Sequence, residues 1–110
     1  MKVLIIDDHA VVRAGVAAVL REMASETVIL QAGDTATGST LAGEHSDIDL
    51  VLLDLMLPDG SGMAALVRFG DRHPLLPVVV FSASESVADV RRALDLGALG
   101  YVPKIGRAHV

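Results

Sequence analysis

Short apolar runs recur along the chain, separated by longer stretches in which apolar residues follow a helical spacing. The runs cover residues 3–6, 27–31, 49–53, 77–81 and 99–102. Short buried runs that alternate with amphipathic stretches are typical of repeated strand-helix units. Right-handed helical crossovers join parallel strands, so the pattern predicts an α/β fold with a doubly wound, five-stranded parallel sheet.

The stretches between the runs predict four helices. The first is expected to pack on the sheet through one apolar stripe, made of Val12, Val16, Val19, Leu20 and Met23. Asp34 is the predicted N-cap of the second helix. The third is predicted over residues 62–69, ended by Gly70, with three inward side chains: Met63, Leu66 and Val67. The fourth is predicted to start at the Ser86 cap and stop at Gly97, with Val87, Val90 and Leu94 inward.

Composition narrows the class of protein. A chain of 110 residues holds one core, so residues 1–110 are expected to form one domain. Hydrophobic residues make up 52% of the chain, with only two Phe and one Tyr, which fits aliphatic parallel strands under helices. A net charge of −5 argues against direct contact with nucleic acid. The chain has no cysteine and no long apolar segment, so we expect a cytoplasmic protein without a membrane span.

Acidic residues follow two of the predicted strands. Asp7 and Asp8 come after the first run, and Asp54 comes after the third, where we expect it to be presented to solvent. Parallel strands bring their carboxyl ends to one edge of the sheet, so these carboxylates would repel one another unless a cation were bound. Oxygen ligands alone suit Mg²⁺ or Mn²⁺. Taken singly, Asp7 and Asp8 are equally well explained as helix-capping acids, and Asp54 is better explained as a loop acid.

Other polar residues fall at the same edge. Ser82 follows the fourth run and Lys104 follows the fifth, where a hydroxyl and an ammonium could contact a phosphoryl group. Taken alone, Ser82 is better explained as a turn-capping residue and Lys104 as a surface lysine. Tyr101, on the fifth predicted strand, is by default a core aromatic with its hydroxyl at the surface. The four histidines show no metal-ligand pattern.

Together these residues resemble the receiver domain of two-component response regulators. The resemblance rests on Asp7-Asp8, Asp54-x-x-x-Pro58-x-x-x-Gly62, Ser82-Ala83 and Lys104, in that order. The patterns Asp7-Asp8-His9-x-x-Val12-Arg13-x-Gly15 and Gly97-Ala98-x-Gly100-Tyr101-x-x-Lys104 are similar to the NarL/LuxR-type subgroup. The resemblance implies a flavodoxin-like sheet in the order 2-1-3-4-5.

The resemblance also implies roles for the residues. Asp54 would accept a phosphoryl group from a sensor histidine kinase or a phosphotransfer protein. The metal ion would be held by Asp7, Asp8, Asp54 and the Met56 carbonyl. Lys104, Ser82 and Tyr101 would be the phosphoryl-contacting and switch residues. The domain would be a signalling phosphoacceptor that catalyses only its own phosphorylation and dephosphorylation, and it would control a DNA-binding output domain that this chain does not include.

The chain departs from the family at its C-terminus. Pro103 precedes Lys104, whereas many receivers have a cis proline directly after this lysine. Only residues 105–110 follow, so we expect the fifth helix to be truncated or absent. Its loss would expose an apolar face of the sheet, which we expect a homodimer or an exchanged element to cover.

Other functions fit the sequence less well. The first is a phosphorylation-independent, receiver-like interaction module, which the loss of Asp8, Asp54 or Lys104 would favour, and all three are present. The second is a dehalogenase-type aspartyl-phosphate hydrolase, which requires an Asp where this chain has Met56. A flavodoxin-like cofactor binder is disfavoured because Asp7 and Asp8 would repel a cofactor phosphate.

Overall fold

Strands and helices alternate without exception along the described chain. The structure is a computed structural model that describes residues 1–57, 62–83 and 86–104. The elements are β1 (Lys2–Ile6), α1 (Ala10–Met23), β2 (Val28–Ala32), α2 (Thr35–Glu44), β3 (Leu50–Asp54), α3 (Gly62–Arg72), β4 (Val78–Ser82), α4 (Val87–Asp95) and β5 (Gly100–Pro103).

The strands form one parallel sheet in the order β2-β1-β3-β4-β5, as predicted. Most strands end one residue later than the apolar runs indicated. Main-chain pairing continues into the first polar residue, so Asp54 pairs with Phe81 and Ser82 pairs with Pro103. Both polar residues are therefore the last residues of strands rather than the first residues of loops.

Two hydrophobic layers hold the helices to the sheet. Alternate strand residues face α2, α3 and α4 on one side, where Leu4, Ile6 and Val80 pack against residues such as Phe69. The other side is smaller, and there Val3, Ile5 and Phe81 pack with Ala17 of α1. This alternation is the period of two that a strand imposes on its side chains, and it explains why β1 is buried on both faces.

The apolar stripe of α1 was predicted only in part. Val12, Val16 and Leu20 pack on the sheet, but Val19 and Met23 are 55% and 78% exposed. The buried stripe is centred nearer Ala17, whose small side chain lets the helix lie close to the strands. Val19 is consequently at the edge of that stripe, and Met23 is the last residue of the helix.

The predictions for α3 and α4 also need correction. α3 continues through Gly70 to Arg72, since a glycine inside a helix costs only about 1 kcal/mol and tertiary packing outweighs it. Val67 is 39% exposed, and Val87 and Leu94 of α4 are 71% and 46% exposed. The buried residues include Ala65 and the predicted Leu66 in α3, and Ala93 in α4. Tertiary packing therefore decided which side of each helix faces the sheet.

The predicted helix caps are confirmed. Asp34 accepts a hydrogen bond from the Thr37 backbone N–H (2.7 Å), and Ser86 Oγ accepts one from Asp89 N–H (3.4 Å). Gly97 has φ +107°, the left-handed conformation expected after α4. No described helix has the length and apolarity needed to cross a membrane. The predicted loss of the fifth helix falls on residues 105–110, outside the described residues, and so does Ile105, the residue at the place of the family's cis proline.

Candidate functional site

The acidic residues meet at the carboxyl edge of the sheet. β1 and β3 are neighbours with Ile6 opposite Leu53, so the next residues, Asp7 and Asp54, lie side by side. The Asp7 backbone N–H donates to the carbonyl of Ala32 (3.0 Å), which extends the β1-β2 pairing to the acid itself. The sheet register thus fixes the separation of the two carboxylates.

These two acids are buried, which contradicts the expectation that Asp54 is presented to solvent. Asp7 is 0% exposed and Asp54 is 1% exposed. Asp54 is the last ladder residue of β3, and its Oδ1 accepts a hydrogen bond from the Met56 backbone N–H (2.9 Å). The chain after the strand folds back over the carboxylate, so a strand end need not be an exposed position.

Lys104 neutralises part of this charge. Its Nζ donates to Asp7 Oδ2 (2.7 Å) and to Asp54 Oδ2 (3.0 Å), and it lies 4.8 Å from the centre of the Phe81 ring. Its backbone N–H donates to the carbonyl of Ser82 (2.7 Å), which fixes the residue directly after β5. One ammonium group therefore joins the carboxylates at the ends of β1 and β3.

The charge of Asp7 depends on these contacts. Burial by itself favours the neutral acid, but the hydrogen bond from Lys104 and the backbone N–H of His9 stabilise the carboxylate. The result is a pKa of Asp7 below its ordinary value of 3.8. Asp7 is therefore ionised at neutral pH despite its burial.

Asp8 and His9 complete the cluster. Ligand atoms of Asp7, Asp8, His9 and Asp54 all lie within 4.8 Å of one another. His9 Nδ1 is 3.2 Å from Asp7 Oδ1 and 3.1 Å from Asp8 Oδ1. The histidines show no metal-ligand pattern in the sequence, whereas the structure includes His9 in this group, and its place directly after two acids was the available signal.

The donor set fits a hard divalent cation. Among the described side chains, Asp8 Oδ1 is a buried oxygen without a hydrogen-bond partner, since His9 Nδ1 lies 3.1 Å away but makes no hydrogen bond to it. A buried acceptor is normally satisfied, so an oxygen left open beside two more carboxylates is suited to a metal ion. One lysine facing three carboxylates also leaves net negative charge at the edge.

Gly62 allows a close contact between the start of α3 and Leu55, the residue that follows Asp54. A Cβ at this position would lie 2.6 Å from the Leu55 Cα, and it would overlap other main-chain atoms of Leu55. Only glycine allows α3 to begin this close to the residues that follow Asp54. Met56 is 60% exposed beside the acids, while Pro58 and residues 59–61 lie outside the described residues.

The predicted switch residues lie on the adjacent strands. Ser82 is fully buried at the end of β4, next to β5, the strand that Lys104 follows. Tyr101 is half-buried on β5 and packs against the larger hydrophobic cluster. The structure thus brings together Asp7, Asp8, Asp54 and Lys104. Ser82 is close to them, and Tyr101 is nearer the start of β5, further from the acids.

Comparison with known proteins agrees with this geometry. Residues 3–109 match the family model described as the response regulator receiver domain. The chain is 38% identical over 102 residues to the nitrate/nitrite response regulator protein NarL of Escherichia coli K12, covering 93% of this chain and 47% of NarL. The chain spans about half the length of the curated relatives it matches, 47% for the first of them.

Solved structures agree too. A LuxR-family two-component response regulator from Aurantimonas superposes with TM-score 0.86 at 27% identity, over 94% of this chain and 73% of that one. A Burkholderia pseudomallei response regulator, solved with a phosphorylated aspartic acid, calcium ion and citrate, gives 0.85 at 26% identity, over 96% and 60%. These matches give no support to the interaction-module or hydrolase alternatives. The chain belongs to the family of response regulator receiver domains, with NarL and LuxR-type regulators among its relatives.

Proposed function

We propose that Asp54 accepts the phosphoryl group. A carboxylate oxygen of Asp54 attacks phosphorus, the P–N bond to the donor histidine breaks, and an acyl phosphate forms on Asp54. The donor's ring carries a proton on its second nitrogen, so it leaves as neutral imidazole. The observation that carries this proposal is the position of Asp54 at the centre of the cluster, in contact with Lys104 Nζ and beside Asp7.

The proposed metal ion is Mg²⁺ or Mn²⁺. Asp7, Asp8, Asp54 and the Met56 carbonyl would hold it, and the open Oδ1 of Asp8 supports the assignment. A bound divalent ion would offset charge on the transferring phosphoryl oxygens. Lys104 contacts the acceptor Asp54, and together with the His9 backbone N–H it keeps Asp7 ionised.

Lys104, Ser82 and Tyr101 are the proposed response to that charge. Lys104 now bridges two carboxylates, and a phosphoryl group on Asp54 offers its ammonium a doubly charged partner. Ser82 is the last residue of β4, so a shift of its hydroxyl towards the phosphoryl group would move the start of the loop to α4. Tyr101 lies two residues before Pro103 on the adjacent strand, and it would change rotamer in response to this movement.

The wider system is part of the proposal. A sensor histidine kinase or phosphotransfer protein donates the phosphoryl group, and the chain, residues 1–110, controls a transcriptional output domain in a longer protein. Support comes from the curated relatives, which are about twice as long and include transcriptional regulators. Homodimerisation belongs to the same proposal.

The decisive experiment is chemical phosphorylation. Incubation with acetyl phosphate and Mg²⁺ should add one phosphoryl group to the unsubstituted chain and none to Asp54→Asn, as read by intact-mass spectrometry. Asp47→Asn, which changes an ion-paired acid at the opposite end of the sheet, should be labelled normally. Equal labelling of Asp54→Asn would refute Asp54 as the acceptor.

A further inference from the structure

Arg13 of α1 contacts both β2 and the residue that follows β1, next to the acidic cluster. From α1, its Nη1 donates to the backbone carbonyl of Asp7, and its Nε donates to Gln31 Oε1 on β2 (3.1 Å). Gly33 lies against the same side chain, because a Cβ there would be 3.6 Å from Nη1. The guanidinium therefore occupies a defined place between the ends of β1 and β2.

The contact with Asp7 has a direct geometric consequence. The carbonyl of Asp7 belongs to the peptide unit that links Asp7 to Asp8. Because a peptide unit is planar, holding its oxygen also sets the direction in which the chain continues into Asp8. The backbone N–H of Asp7 is already held by Ala32, so the Arg13 contact fixes the other end of this turn.

We infer that Arg13 is a positioning residue for the divalent-ion site, acting through the Asp7-Asp8 peptide. The inference rests on the proposed function, since it assigns Arg13 to the metal site proposed there. Arg13 itself touches neither the metal ligand oxygens nor the phosphoryl acceptor in these contacts. It holds the two acids at the angle at which their oxygens converge with those of Asp54.

An electrostatic role and a positioning role of Arg13 predict opposite changes in Mg²⁺ affinity when the residue is replaced. An arginine near an acidic cluster repels a divalent cation, so removing its charge alone would tighten Mg²⁺ binding. Removing a group that orients metal ligands weakens binding, commonly by about tenfold or more. The sign of the change in Mg²⁺ affinity therefore separates the two roles.

The test is a set of Mg²⁺ titrations by isothermal calorimetry, paired with thermal unfolding without metal. Arg13→Met should raise the Mg²⁺ Kd about tenfold. Arg21→Met, which removes the same charge from the exposed last turn of α1, should change the Kd less than about twofold. Arg13→Lys keeps the charge and stem but loses the planar fork, and should raise the Kd by about threefold.

The outcomes separate this inference from the proposed function. If the unsubstituted chain fails to bind Mg²⁺, the proposed function and this inference fall together. If it binds while Arg13→Met binds equally or more tightly, Arg13 has no positioning role and the proposed function stands. Should Arg13→Met not fold, Arg13→Lys decides alone, and binding like the unsubstituted chain would overturn the inference.

Discussion

Each end of the sheet carries a lysine paired with aspartate, yet the two pairs differ in surroundings. At the amino end, Lys2 Nζ lies 3.0 Å from Asp47 Oδ1, and the Asp47 side chain is 70% exposed. At the carboxyl end, Lys104 is 10% exposed and its two carboxylate partners are at most 1% exposed. Water and salt screen the first pair, whereas the second has only its neighbours to stabilise its charges.

The charge balance at the two ends differs as well. Lys2 uses its backbone N–H for Asp49 and its ammonium for Asp47, and both acids are open to water. At the carboxyl end one ammonium serves Asp7 and Asp54, and Asp8 Oδ1 has no hydrogen-bond partner. The carboxylates at the carboxyl end are therefore less completely hydrogen-bonded and neutralised than those at the amino end. This is expected of a binding site that is kept at a cost in stability.

The largest effect should come from removing the buried cation. Without divalent ions, Lys104→Met should lower the free energy of unfolding by roughly 3 kcal/mol, because it leaves two buried carboxylates unpaired. Urea denaturation measures the change, and added Mg²⁺ should restore part of it. Lys2→Met is the matched control and should leave the urea midpoint nearly unchanged; equal losses would contradict the distinction between the two ends.

A smaller effect, of opposite sign, is expected for Asp8→Asn. Removing one of three neighbouring negative charges should raise the free energy of unfolding of the metal-free protein by about 1 kcal/mol. The same variant should lose the stabilisation that Mg²⁺ gives the unsubstituted chain. Thermal melts with and without Mg²⁺ test both statements, and a destabilised metal-free Asp8→Asn would show that this charge is already compensated.

The smallest effect concerns acid titration. The pKa of Asp7 lies below 3.8 because hydrogen bonds from Lys104 and His9 outweigh burial, and that of Asp47 does so chiefly through its hydrogen bond from Lys2. A pKa lowered on folding adds stability above the ordinary value, and this is lost as pH falls through the lowered pKa.

A high salt concentration should affect the pKa values of the two acids differently. At about 1 M NaCl the screening length is roughly 3 Å, so the pKa of exposed Asp47 should return towards 3.8 while that of buried Asp7 stays low. Carboxyl carbon NMR titrations at low and high salt measure both values. An equal response of the two groups would mean that Asp7 is reached by solvent as easily as Asp47.

Local chemistry explains what could be predicted from the sequence. Apolar runs of strand length, the Asp34 and Ser86 caps and the left-handed Gly97 depend on residues near one another in the chain. They defined the strand-helix alternation, and the rule for parallel strands then brought Asp7, Asp54 and Lys104 to one edge. The family resemblance supplied the strand order.

Contacts between distant residues explain the errors. The sequence did not reveal that Val19 and Met23 would be exposed, because the inward face of α1 was decided by the close approach at Ala17. It also did not reveal that the ring of His9 would contact both Asp7 and Asp8, since that depends on the direction of the chain after β1.

The sequence by itself determined the order of the elements and the edge at which the acids collect, because strand period and helix caps are short-range properties. Only the tertiary structure decided that Asp7 and Asp54 are buried, that Lys104 joins them across 97 and 50 residues, and that Arg13 reaches the carbonyl of Asp7. These outcomes depend on which strands become neighbours and on how closely the helices cover them. Burial and ion pairing are properties of the packed chain rather than of any one segment.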